Sequence, residues 1–134
     1  MILSLPLSVT IPRKTKEDKV FALNLNVYRN AHHMVMNQAK ILWKSIVEQI
    51  LSGARVDLPE PPWIFHYTIF PGTGRAFDVG NVAPAIQKFT DDALQELGVI
   101  KNDNYKYIME NRHKFGGIDK ENPRCELRIE RWEE

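Results

Sequence analysis

A single cysteine, Cys125, in a chain of 134 residues excludes every fold held by an intrachain disulfide and every zinc site built from several thiolates. A lone thiol of this kind fits a reducing compartment, and core packing is its simplest role. Long hydrophobic runs are also missing. No stretch approaches the ~18 apolar residues of a membrane span, so no membrane partner is expected. The apolar start, MILSLPLSVTIPRKTK, has no basic region ahead of it and is interrupted at Pro6 and Pro12, which does not fit a signal peptide. Neither sign of charge dominates. The 18 Lys and Arg face 17 Asp and Glu, a net charge of +1, so any nucleic-acid surface has to be a local basic patch. Internal repeats and low-complexity tracts are absent. What is present is 43% hydrophobic residues, enough for one globular domain over residues 1–134 with a genuine core.

Two short apolar or alternating runs, Ile2 to Ile11 and Lys19 to Leu25, flank the polar RKTKED and predict a hairpin. Asn30 is placed to cap a helix running to about Leu51, with Val35, Ala39, Leu42, Ile46 and Ile50 on its core face. His32 and His33 are adjacent and so point about 100° apart on a helix; without HExxH-type spacing they make a poor metal pair. The segment SGARVDLPEPP reads as loop and delivers the chain into WIFHYTIF, Trp63 to Phe70. Both alternating sets of that strand are largely apolar, which predicts a central strand covered on both sides, with His66 buried in a packed layer.

A helix from about Val82 to Leu97 follows, its stripe formed by Val82, Ile86, Phe89, Ala93 and Leu97. Gly98 stops it, Tyr105, Tyr107 and Met109 alternate as in a strand, and Arg124 to Trp132 alternates Cys125, Leu127 and Ile129 inward against charged residues outward. These elements sum to an α+β fold: an antiparallel or mixed sheet of about four to five strands with two long helices in a single domain.

Chemistry concentrates between Arg75 and Asp103, in RAFDVGNVAPAIQKFTDDALQELGVIKND. Asn81, Lys88 and Asp92 are spaced by seven and four residues and share one helix face to within ~20°, beside the apolar stripe and so half-buried. On that phase Asp91 turns towards solvent, and Asp92 is the better ligand. Asn81 is placed as the N-cap, with Pro84 in the first turn. Carboxylates, an amide and a lysine in one segment suit a divalent metal acting on phosphate. The same Lys88 and Asp92 also make an ordinary i,i+4 pair on a solvated face.

The succession FDVGN, KFTDDALQELG and VIKNDNYKYI resembles the core of the RusA-type Holliday junction resolvases, a group that includes many phage and prophage nucleases. The stretches LNLNVYRNAHHMVMNQAK and FGGIDKENPRCELRI extend the resemblance over most of the chain. It implies a homodimeric, Mg²⁺-dependent endonuclease, with Mn²⁺ as a substitute ion, that hydrolyses phosphodiesters in branched, four-way DNA in the cytoplasm of a bacterial or phage-infected cell. Asp78 matches the first aspartate of the family's DxDN, Asn81 its asparagine, Lys88 its lysine and Asp103 the aspartate after the helix. Gly80 stands where the second DxDN aspartate is expected, and the gap from Asn81 to Lys88 is longer by about one helical turn.

On this reading Asp78 and Asp103 hold metal, with Asp92 or Asn81 in place of the missing carboxylate, and Lys88 stabilises the charge that develops on phosphate. Arg75, Lys88, Lys101, Lys106, Arg112 and Lys114 are the candidates for DNA contacts. A catalytically silent junction-binding or protein-binding module on the same fold is the alternative that Gly80 favours, and a structural phage protein is a third reading. A helix over residues 81 to 98 rises ~25 Å, and the five residues to Asp103 return at most ~17 Å along it. Asp103 therefore reaches the level of Lys88 and Asp92. Asp78 meets it only if the helix is shorter, if Asp78 folds up along it, or if antiparallel helices in a dimer bring the two together.

Overall fold

A computed structural model describes residues 1–53, 56–75 and 77–134. Residues 54 and 55 of the expected Gly- and Pro-rich loop, and Ala76 of the stretch before the third helix, lie outside the described residues. The elements follow in the order β1 (Ile2–Leu5), β2 (Ser8–Ile11), β3 (Lys19–Ala22), α1 (Leu25–Asn30), α2 (His33–Ser52), β4 (Trp63–Phe70), α3 (Val79–Glu96), β5 (Ile108–Phe115) and β6 (Arg124–Arg131). Four strands form a mixed sheet in the order β1-β6-β4-β5, and β2 and β3 form a separate antiparallel pair. The α+β expectation therefore holds, with a four-stranded mixed sheet and two long helices. No helix among the described residues is long and apolar enough to cross a membrane.

The expected hairpin is real only in its second half. Ser8–Ile11 pairs with Lys19–Ala22, while Ile2–Leu5 leaves to pair with β6 at the edge of the main sheet. Pro6, with its fixed φ and no N–H to donate, separates the two strands. β4 is central as expected, antiparallel to β6 and parallel to β5. A parallel neighbour requires a long crossover, which α3 supplies. Trp63, Phe65, Tyr67 and Ile69 of β4 are buried, with Leu3 and Leu5 of β1 and Leu127 and Ile129 of β6, beneath α2 and α3. The other face was expected to be covered too; Ile64 at its start is buried, but His66, Thr68 and Phe70 are only half-buried there. The reason is that both long helices pack on one side. His66 thus lies on an open sheet face and not in a packed layer.

The first predicted helix breaks in two. Asn24 caps α1 by accepting from Val27 N at 2.8 Å, and α2 starts after His32, whose Nδ1 accepts from Met34 N at 3.2 Å. His32 is thus a cap, and Asn30 is the last residue of α1. The residues of α2 that reach the centre of the core are Ala39, Trp43, Val47 and Leu51, whereas Val35, Leu42, Ile46 and Ile50 pack partly buried around it. Trp43, fully buried, donates from Nε1 to Thr90 Oγ1 of α3 at 3.2 Å, which joins the two long helices with a satisfied polar contact. Phe89 of α3 stacks on Phe21 of β3 with centroids 5.9 Å apart.

Just past the Leu97 cap of α3, Gly98 takes φ 76°, and Val99 N bonds back to Leu94 O at 2.9 Å. The strand expected to include Tyr105 begins only at Ile108. Before it, Asn102 Oδ1 accepts from Asp103 N and Asn104 N at 2.8 and 3.0 Å, and Asn104 Oδ1 accepts from Lys106 N at 3.0 Å. Side chains that satisfy their own neighbours' amides fold this stretch as turns.

Candidate functional site

The N-terminus of α3 is set by Asp78. Its Oδ1 accepts from Gly80 N at 2.9 Å, so Asp78 is the N-cap, and Asn81, expected in that role, donates its own backbone N–H to Asp78 O at 3.1 Å. Pro84 consequently lies inside the helix, beyond the first turn. Gly80 is also fitted to the cap, since a Cβ there would stand 3.3 Å from Asp78 Oδ1. A carboxylate at this position would crowd the one that holds the helix end.

Thirteen residues further on, about 20 Å along the axis at 1.5 Å per residue, stands the second acidic group. The phase expectation is reversed here: Asp91 is 7% exposed while Asp92 is open to solvent. A helical wheel gives a direction and does not say what covers it. The Asp91 flank is closed by β4 and by the chain returning from Leu97, which carries Asp103. The neighbouring flank, bearing Asn81, Lys88 and Asp92, was expected to be half-buried, yet Lys88 and Asp92 are both exposed. Lys88 Nζ sits 5.7 Å from the ring centroid of Tyr28 in α1.

Asp91 is the one strongly perturbed carboxyl. Burial pushes its pKa up to about 7, the charges of Asp103 and Asp92 push in the same direction, and the Tyr67 hydroxyl, which donates to Asp91 Oδ1 at 3.5 Å, opposes them. Near neutral pH this group is therefore divided between its acid and its carboxylate. Tyr67 is fully buried, and its phenol is held well above the ordinary range by burial first and by Asp91 second. The Tyr67 ring meets His113 of β5 edge-on, with centroids 5.7 Å apart, and His113 Nε2 lies 2.7 Å from Gln87 Oε1, one turn before Asp91 on α3. Burial holds the imidazole of His113 below its usual range, which keeps it neutral at pH 7. Gln87, Asp91, Tyr67 and His113 thus form a polar seam between α3 and the β4–β5 pair, with Asp92 and Asp103 at its mouth.

The expected site residues divide between the two ends of α3. Asp92 and Asp103 come to Asp91, while Asp78, Asn81 and the exposed Arg75 stay at the far end, so Asp78 and Asp103 do not meet within one chain. Lys101 and Lys106 are exposed on the return segment beside Asp103, whereas Arg112 and Lys114 lie on the open face of the sheet. No three His, Cys, Asp or Glu side chains among the described residues converge closely enough to hold an ion as they stand. The donors present are nevertheless hard oxygens, and Asp92 and Asp103 are exposed and free to turn. Their crowding against Asp91 is a repulsion that a cation would relieve.

Sequence reasoning passed over Asp91, His113, Tyr67 and Gln87. The paired aspartates were visible, but the identity of the buried one depends on where residues 97–107 run. Compared with protein-family models and with curated proteins, the chain matches none.

Proposed function

We propose that the chain is a Mg²⁺-dependent, structure-selective endonuclease acting on branched DNA, with its reaction centre at the C-terminal half of α3. The observation that carries this reading is the buried Asp91 carboxyl, raised to about 7, with Asp92 and Asp103 crowding it. Asp92 and Asp103 would hold the ion, which when bound lowers the pKa of its water and neutralises phosphate charge. Asp91 has the proton affinity of a general base at neutral pH. Tyr67 fixes the Asp91 carboxyl through its hydroxyl, and Gln87 fixes His113 against the Tyr67 ring. Lys88, on the neighbouring flank of α3, is a cation for the developing phosphate charge. A homodimer with antiparallel α3 helices would set Asp78 beside Asp103 of the partner subunit, which restores the expected pairing.

The second reading, a silent junction-binding module on the same fold, is favoured by Gly80 and by the engagement of Asp78 in capping. One assay separates the two. A labelled four-way junction and a linear duplex are incubated with the protein in Mg²⁺ or EDTA, beside Asp103→Asn and Asp91→Asn. Metal-dependent nicking of the junction that both substitutions reduce by 100-fold or more, roughly the loss expected for a positioned acid–base group, supports the nuclease. Tight binding without nicking supports the silent module, and neither binding nor nicking refutes both.

A further inference from the structure

The open face of the main sheet carries a row of cationic side chains that the acidic site does not use. Strand register sets Arg112 of β5, His66 of β4 and Arg128 of β6 directly beside one another, with Ile2 of β1 next to Arg128. Two residues along, Lys114 lies opposite Thr68. Like charges placed side by side across strands cost stability, and the flanking glutamates offset this cost only in part. His66 records the cost: burial depresses its pKa, Arg128 and Arg112 depress it further, and Glu130 and Glu110 only partly compensate.

The side chains line a trough of about 530 Å³ over β5, β4 and β6, which continues into a smaller hollow of about 160 Å³ shared with Ile2 and Glu126. Three glutamates flank the row, and each already faces an arginine: Glu110 pairs with Arg112, Glu130 with Arg128 and Glu126 with Arg124. The first two pairs join near neighbours on one strand, with the Arg112 and Arg128 side chains 65% and 54% exposed. Pairs so open contribute little, and a phosphate can compete for the guanidiniums. Lys114 makes no ion pair among the described residues. Three strands spaced ~4.8 Å set Arg112 and Arg128 ~10 Å apart across the trough. That is several times the 3.4 Å step between nucleotides along one duplex strand.

We infer that this trough seats the phosphodiester backbone of one nucleic-acid strand, with Arg112, Lys114 and Arg128 contacting successive phosphates and His66 beneath them. The inference rests on the nuclease reading for the identity of the polyanion. Arg112 and Lys114 sit on the edge strand whose opposite face carries His113, so a strand held here passes around β5 towards the acidic seam.

The test is binding in EDTA, where cleavage plays no part. Affinity for a fluorescent four-way junction, a duplex and a single strand is measured by anisotropy between 50 and 200 mM salt. Wild type is compared with Arg112→Gln/Lys114→Gln/Arg128→Gln, with each single substitution, and with Lys14→Gln/Lys16→Gln in the exposed β2–β3 turn as a control. Each lost contact reduces the salt slope by ~0.7–0.9, so the triple variant's loss of affinity over that range is smaller than wild type's by roughly 20- to 40-fold. Unchanged thermal midpoints verify folding, and the His66 ring signals of wild type shift to higher pKa when oligonucleotide is added.

An unchanged slope in the triple variant, a control that falls equally, or a silent His66 overturns the inference. So does an affinity for inorganic phosphate alone with none for DNA. Junction cleavage with an undisturbed slope leaves the nuclease reading standing without the trough, and slope-dependent binding without cleavage does the reverse.

Discussion

Replacing Asp91 by Asn isolates the cost of burying that carboxyl. In the unfolded chain an aspartate titrates near 3.8, and in the folded protein this one titrates at about 7, so the folded state holds its proton more tightly. Stability is therefore greatest below the unfolded value and falls as pH rises through the window from about 4 to 7. At 1.36 kcal/mol per pKa unit the difference amounts to about 4 kcal/mol above pH 7, and to under about 1 kcal/mol at pH 4. Asparagine keeps the shape and the oxygen that accepts from the Tyr67 hydroxyl but never ionises. Asp91→Asn should accordingly raise unfolding stability by about 4 kcal/mol at pH 8 and leave it nearly unchanged at pH 4. Urea titration in EDTA at pH 4, 6 and 8, followed by tryptophan fluorescence, measures the difference. Asp92→Asn, at an exposed site, is the companion with a small effect. Equal shifts for Asp91→Asn at pH 4 and pH 8, or a loss of stability at pH 8, would refute the assignment of Asp91 as a buried, charge-crowded group.

Three further perturbations follow from the fold. Asp78→Ala removes the α3 cap and should cost about 1 kcal/mol by urea titration, with Asp78→Ser retaining most of it. Gly116→Ala should cost about 1–3 kcal/mol, because a Cβ there would lie 2.6 Å from both Phe70 Cε1 and Thr68 Cγ2; a neutral result in the same titration contradicts that close approach. Cys125 is fully buried, and burial pushes its thiol up to about 12, so a thiol reagent at pH 8 should label it only in denaturant.

Strand alternation was the most legible part of the sequence. Cys125, Leu127 and Ile129 point inward in β6 as their spacing requires, and β4 is central, paired along both edges with β6 and β5. Coverage of faces was less legible. Ile64 and Phe70 made the outer face of β4 look enclosed, yet both long helices had to share the other side to bury Trp43 against Thr90. The phase of α2 was displaced for a related reason. Its apolar arc is broad enough to admit two stripes, and only the partner helix decides that Ala39, Trp43, Val47 and Leu51 form the inner one. The candidate site shows the same limit. Asp92 was singled out by helix phase and Asp103 by the family resemblance, whereas Asp91, Tyr67 and His113 meet only after β4, α3 and β5 have assembled, and the cation row of Arg112, His66 and Arg128 exists only through strand register.

The pairing of β1 with β6 has a consequence for the protein's birth. Met1 and Ile129, 128 residues apart in the chain, exchange backbone hydrogen bonds across it. A ribosome must carry synthesis through β6 before Leu3 and Leu5 find their partners, so β1 waits while every element between the two strands is made. Closing so large a loop costs entropy before any contact rewards it, which makes this edge a slow step in assembly. Until it closes, the nascent sheet presents β6 as a second bare margin, and that interval is when the chain is most open to aggregation or to a chaperone.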